Sequence, residues 1–358
     1  MRNFRLALIF PVAAFCLAAV SASAQDGERP GAAFIYVGPV GDAGWTYRHD
    51  QGRLCLEEDG IETSFVEAVP ETPDVATIER DFLDQGYDMI FATAFGYQPF
   101  TQEVALENPD KHFFGITPTV APADNILNFY GELWDGRYLT GLVAGAMTQS
   151  NIVGFVAAQP IPTVIAGLNA FTMGVREVNP DAEVRVVWTL SWYDPPAENQ
   201  AAVALVEAGA DVVAQHQDTP SALQGAAQNG AWAIGSESDM SAFAPEKFLT
   251  GTIWNWCPFY RQAVAMVEEG SFEAGEFYGG LVDGTVALAP INPAVPEEIK
   301  AMVEERRQGL IDGAFDYWQG PLLDNQGKEV IAADETIGIA EINSMNWLVE
   351  GVVGQLPN

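Results

Sequence analysis

Two stretches of the chain share one grammar. "FLDQGYDMIFAT" (Phe82 to Thr93) and "LVEAGADVVAQH" (Leu205 to His216) each run from a helix end through a glycine and an aspartate into an apolar strand, with Gly86 aligned to Gly209 and Asp88 to Asp211. Each glycine suits the left-handed residue that closes a helix, and each apolar run suits a strand covered on both faces. The offset is 123 residues, and a similar one relates "AAFIYVG" (Ala32 to Gly38) to "NIVGFVAA" (Asn151 to Ala158). A chain that repeats such a unit is two halves of one design, each an open sheet wound by helices. The class expected is therefore α/β, with two doubly wound parallel-sheet lobes and right-handed crossovers.

The segments after the second half are too few for a third sheet. "FLTGTIWNW" (Phe248 to Trp256) and "GTVALAP" read as strands, and Cys257 to Gly270 and Pro296 to Gly309 as helices, the latter opening on proline and acids. They must complete the two lobes, so the chain crosses between them more than once and the hinge has several strands. The expected organisation is residues 1–24 as a signal peptide, 31–129 and 256–290 as the first lobe, 130–254 and 291–330 as the second, and 331–358 as a C-terminal tail with a short apolar helix around Met345 to Val349.

Arg2 and Arg5 precede an apolar run from Leu6 to Val20 and a small-residue stop at Ala24, the pattern of a secretory signal peptide cleaved after Ala24. Cleavage removes two arginines and no acid, taking the formal net charge from -33 to -35. Repulsion then excludes nucleic acid as a partner. The acids are scattered rather than blocked, which reads as a solvated surface suited to a salty medium. One disulfide between Cys55 and Cys257 is possible in an oxidising compartment, but a core of this size does not need it, and two separate buried thiols are the expectation. His49, His112 and His216 lack paired ligand spacing, so no metal is expected and each reads as structural.

Gly38, Gly41 and Gly44 follow the first strand, and Glu67 ends the next, which invites comparison with a dinucleotide site. The G-x-x-G-x-x-G spacing and the charge of Asp42 oppose it, and no cofactor is expected. The glycines instead let the backbone turn tightly and present Trp45 and Tyr47 above the sheet. Ligands of open parallel sheets bind there, at the carboxyl ends of the strands. Those ends carry Asp42, Trp45, Tyr47, Phe95, Tyr97 and Thr117 in the first half. The second half carries Gln159 and Asn169, Trp192 to Asp194, Gln217 and Asp218, Glu237 to Asp239, and Trp254 to Trp256. Aromatics alternating with amides and carboxylates suit a flat, uncharged heteroaromatic solute whose faces stack and whose edges hydrogen-bond. A sugar, which also stacks on tryptophan, and a ligand-sensing role are alternatives. So is an enzyme using Asp194, Asp218 and Asp239, although no nucleophile motif or metal spacing accompanies them and no catalytic residue is assigned.

At these residues the sequence resembles the basic membrane protein family, the purine-type solute-binding proteins of ABC importers. The likeness runs through "AFIYVGPVGDAGWTYRHDQGR", "MIFATAFGY", "GRYLTGLVAGAMT", "NPDAEVRVVWTLSWYDP", "ALVEAGADVVAQHQDT", "GSESDM" and "MNWLVEGV", nearly all of the mature chain. The resemblance implies a type I periplasmic-binding fold with three hinge crossings, a periplasmic monomer and a membrane permease as partner. It places ligand contacts at Trp45, Phe95, Asn169, Trp192, Asp218 and Asp239; Tyr47, Tyr97 and Trp254 join them from the residue reading. Nucleoside-binding members carry D-x-S-F-N where this chain has "GDAGWTY", and a late lysine where "GGLVDGTVAL" supplies Asp283. A free purine base such as adenine is the implied ligand rather than a nucleoside.

Overall fold

The computed structural model describes residues 29–116 and 123–357; the expected signal peptide and Thr117 lie outside them. The first five strands are β1 (Ala32–Ile35), β2 (Thr63–Val66), β3 (Met89–Ala92), β4 (His112–Ile116) and β5 (Ile126–Gly131), and the next five are β6 (Ile152–Ala157), β7 (Glu183–Trp188), β8 (Val212–His216), β9 (Trp232–Gly235) and β10 (Phe248–Trp254). Helices α1 (Trp45–Glu58), α2 (Asp74–Asp84) and α3 (Gln98–Glu107) wind the first set, and α5 (Pro162–Val178), α6 (Pro195–Glu207) and α7 (Ser221–Gln228) the second, with α4 (Leu133–Met147) between them. Both sets have the same strand order, β2-β1-β3-β4-β5 and β7-β6-β8-β9-β10, all parallel. The repeat read from the sequence is thus a repeat of topology. Gly86 and Gly209, with φ of +100° and +102°, end equivalent helices in equivalent conformations.

The chain then returns. Helix α8 (Cys257–Glu268) packs on α1, β11 (Gly275–Gly279) adds a parallel strand to β5, and β12 (Val286–Leu288) pairs antiparallel with β10. Three crossings result, near residues 132, 256 and 282. The strand Val286–Leu288 belongs to the second sheet, not to the first lobe where the 256–290 boundary had put it, because its partner β10 is the edge of that sheet. Phe34, Phe91 and Phe114 lie in register on β1, β3 and β4 and stack at 4.6 and 4.4 Å, with Tyr260 of α8 edge-on against the first two. That aromatic contact draws α8 to the first lobe, and with it Cys257 to Cys55.

Cys55 and Cys257 form a disulfide, their Cα atoms 5.9 Å apart, which corrects the expectation of two free thiols. Spacing could not show it, because the pairing follows from α8 packing on α1 across 202 residues of chain. After α9 (Glu297–Ile311) the tail forms a small hairpin, β13 (Leu322–Leu323) with β14 (Glu329–Ile331). Its short helix is α10 (Ile339–Ile342), not Met345 to Val349, and its last strand, β15 (Val352–Val353), extends the second sheet beside β7. Residues 345–349 run irregularly because Asn169 captures their backbone: it donates to the Trp347 carbonyl at 2.8 Å and accepts from the Val349 N–H at 2.9 Å.

Candidate functional site

A cavity lies between the carboxyl ends of the two sheets. In a 2-1-3-4-5 sheet the connections after the first and third strands leave in opposite directions and open a crevice. Val37 and Trp45 reach the cavity from the connection after β1, Ala94 and Phe95 from the turn after β3, and Ile116 and Tyr130 from the ends of β4 and β5. The second lobe supplies Ile161, Thr163 and Val164 around the start of α5, Trp192 after β7, His216 and Asp218 at and after β8, and Glu237 after β9. The walls are aromatic and aliphatic. Both carboxylates and the imidazole come from the second lobe.

The glycine-rich connection holds an anion of its own. Asp42 accepts from the N–H groups of Gly44 (2.8 Å), Thr46 (2.9 Å) and Tyr47 (2.9 Å). A carboxylate of the chain therefore occupies the helix N-terminus where a pyrophosphate would sit. Trp45, the first residue of α1, donates its indole N–H to the Thr93 carbonyl at 2.7 Å, and its ring meets Trp254 edge-on at 5.8 Å. The indole is fixed in place before any ligand arrives.

Asp218 is 4% exposed, and its carboxylate accepts no hydrogen bond from the described residues. Burial holds its carboxyl well above the usual range, and Asp42, Glu237 and Glu198 add repulsion. Burial likewise raises Asp42 to about 6. Glu237 is raised by burial although Arg137 (3.7 Å), the Ser236 hydroxyl (2.5 Å) and the Trp254 indole N–H all favour its charge. His216 is pushed well below its ordinary value by burial and by Arg137, so it is neutral. Arg137 spends its guanidinium on the Gln215 carbonyl (2.6 Å) and Ser236, and among the described residues no Lys or Arg lines the cavity. The site thus offers ring faces and hydrogen-bond acceptors, and no cation to meet a phosphate or carboxylate.

Of the residues singled out in the sequence, Trp45, Phe95, Trp192 and Asp218 meet at this cavity and five do not line it. Tyr47 lies on α1 beyond Trp45, and Tyr97 is fully buried with its hydroxyl donating to the Val69 carbonyl at 2.6 Å. Asn169 holds the tail. Asp239 is exposed and accepts from the Ser241 N–H at 3.0 Å, and Trp254 stacks on Trp256 behind Trp45. Asp194 caps α6 through Ala197 (3.1 Å), and Asp283 holds a turn through Gly280 and Thr285, so Asp194, Asp218 and Asp239 do not gather as acid–base chemistry would need. Tyr130 escaped the sequence reading because it ends an ordinary apolar strand. His216, expected to be structural, lines the cavity instead; its place at the end of β8 was the available signal. Among the described residues no group of three His, Cys, Asp or Glu could hold a metal ion.

A cavity between two lobes of equivalent topology, walled by rings and edged by acceptors, is the setting in which open parallel sheets hold a small solute. Residues 30–313 match the family of PnrA-like ABC transporter substrate-binding proteins, and the chain belongs to that family. A purine-binding protein of Brucella abortus is 36% identical over 98% of this chain and 99% of its own. A protein of Haloferax volcanii named for glucose binding in an ABC transporter is 35% identical over 93% of this chain and 83% of its own. A solute-binding protein of an ABC transporter system from Aeropyrum pernix superposes with a TM-score of 0.71 at 19% identity, covering 80% of this chain and 93% of that one, which shows the type I periplasmic-binding fold. The family implies a small-molecule ligand and a permease partner. No helix of the described residues is long and apolar enough to cross a membrane.

Proposed function

We propose that this protein captures a purine base of the adenine type between its lobes and delivers it to the permease of an ABC importer. It acts as an exported periplasmic monomer, freed of its signal peptide after Ala24. Trp45 and Phe95 from one lobe and Trp192 from the other provide ring faces, and Asp218 and Glu237 accept from the N–H edge. The observation that carries this reading is Asp218: a buried carboxylate, unpartnered among the described residues, that an uncharged ligand must satisfy with a donor. Stacking contributes about 1–3 kcal/mol per ring in nucleic-acid complexes, so two faces supply a large part of the roughly 8 kcal/mol of a micromolar complex. The similarity to the Brucella purine-binding protein supports the same ligand class.

The similarity to the glucose-named relative favours a second reading, a hexose stacked on the same indoles. A thermal-shift panel of adenine, adenosine, inosine, glucose and ribose separates the two. The purine reading expects stabilisation by adenine above all; stabilisation by the sugars and by no purine removes it.

A further inference from the structure

Beside the cavity the lobes touch through their main chains. A Cβ built onto Gly44 would stand 2.2 Å from the carbonyl oxygen of Asp218, 2.7 Å from its carbonyl carbon and 2.9 Å from its Cα. Those are backbone atoms of the opposite lobe, which no side-chain rotation can move aside. At Gly44 (φ -125°, ψ -122°) the space alone leaves no room for a Cβ. One residue earlier, the Ser238 hydroxyl donates across the cleft to the Ala43 carbonyl. Both sides hold a non-glycine residue in the left-handed region, Ala43 at φ +65° and Glu237 at φ +70°. Such conformations persist where surrounding contacts enforce them, and they gather at clamps and switches.

Three of the four contact residues are also joined directly to the cavity wall. Gly44 precedes Trp45, Ser238 follows Glu237, and Asp218 turns its backbone to Gly44 and lines the cavity itself. We propose that Ala43, Gly44, Asp218 and Ser238 form an interlobe latch that holds the closed state, with Gly44 as the positioning residue whose missing Cβ permits closure. A solute that orders Asp218 and Glu237 orders the two loops that meet Ala43 and Gly44, so contact inside the cavity is converted into contact between the lobes. The latch rests on the reading that the protein closes around a solute, and not on which solute that is.

The test is Gly44→Ala in the full chain. Adenine and glucose are each titrated calorimetrically into both proteins, with small-angle scattering on the same samples. For whichever solute the wild type binds, the variant is expected to bind at least about tenfold more weakly. It also loses the ligand-induced fall in radius of gyration, while its ligand-free Tm stays within about 2 °C of the wild type because the clash exists only between lobes. A variant that binds and compacts like the wild type overturns the latch. A wild type that binds neither solute contradicts the proposed ligands. The latch is then decided without ligand, by whether a short bis-maleimide bridges the Ala43→Cys, Ser238→Cys double variant. Bridging seen by mass spectrometry supports it, and failure to bridge overturns it.

Discussion

In the proposed function, Asp218 is the side chain on which recognition turns. Burial favours the protonated Asp218 carboxyl in the empty cleft and a donating ligand edge favours the charged one; hydrogen bonds to charged groups contribute about 1.5–3 kcal/mol, and an Asp218→Asn substitution keeps the shape while replacing half the acceptor by a donor. Adenine binding is therefore expected to weaken by about 10- to 150-fold, with Tm unchanged or raised because a buried ionisable group is gone. Calorimetry and a melting curve on the same sample check both halves, and undiminished affinity would remove Asp218 from the site. At this scale the sequence showed residue types without their direction. Trp45 opens α1 directly after the glycine run and Trp192 lies in a Pro-flanked loop, and both reach the cavity. Tyr97 and Asn169 stood in equally suggestive contexts and turn to Val69 and to the tail. Which way a loop side chain turns is decided by what packs behind it, and those partners are distant in the chain.

At the scale of elements, the local signals served well. The glycine stops at Gly86 and Gly209, and the buried face of Val75, Ile78 and Phe82 on α2, follow from periodicity and backbone conformation alone. Pairing between distant elements did not. No period announces that α8 leaves the second sheet to cover the first, that β12 runs antiparallel on β10, or that β15 joins β7. The Cys55–Cys257 disulfide is the covalent form of the first of these. It anchors α8 to α1 directly after a crossing between the lobes, and loss of a native disulfide typically costs about 2–5 kcal/mol. A Cys55→Ser, Cys257→Ser double variant is accordingly expected to unfold at lower denaturant concentration, with a raised m-value because the unlinked chain exposes more surface on unfolding. An unaltered midpoint would show that the phenyl stack with Tyr260 holds α8 unaided.

For the whole molecule, charge and burial set the response to pH. Burial raises the carboxyls of Asp42 to about 6, Asp135 and Glu198 to about 7, and Glu79 to about 8. Each keeps its proton in the folded state at a pH where the unfolded chain has lost it, so each contributes a loss of stability as pH rises from the ordinary carboxylate value to the raised one. His49 and His216, buried and held well below their ordinary value, act in the opposite sense, and their effect is complete once pH passes the unfolded histidine value of about 6.5. Between pH 6.5 and 8 only the carboxyls remain in play, and Tm is expected to fall across that window. A calorimetric pH series at fixed salt checks it; a rising Tm there would mean that these carboxyls are ionised in the fold. The two-lobed architecture, the hinge of several strands and the location of the cleft were all legible in the repeat, because topology fixes where open sheets bind. The central claim is that the cleft closes on a purine base, and titration of adenine into ligand-free protein tests it most directly. Saturation at one adenine per chain with a Kd of about 1 μM or tighter is the predicted result, and no heat from adenine where glucose saturates the same sample would contradict it.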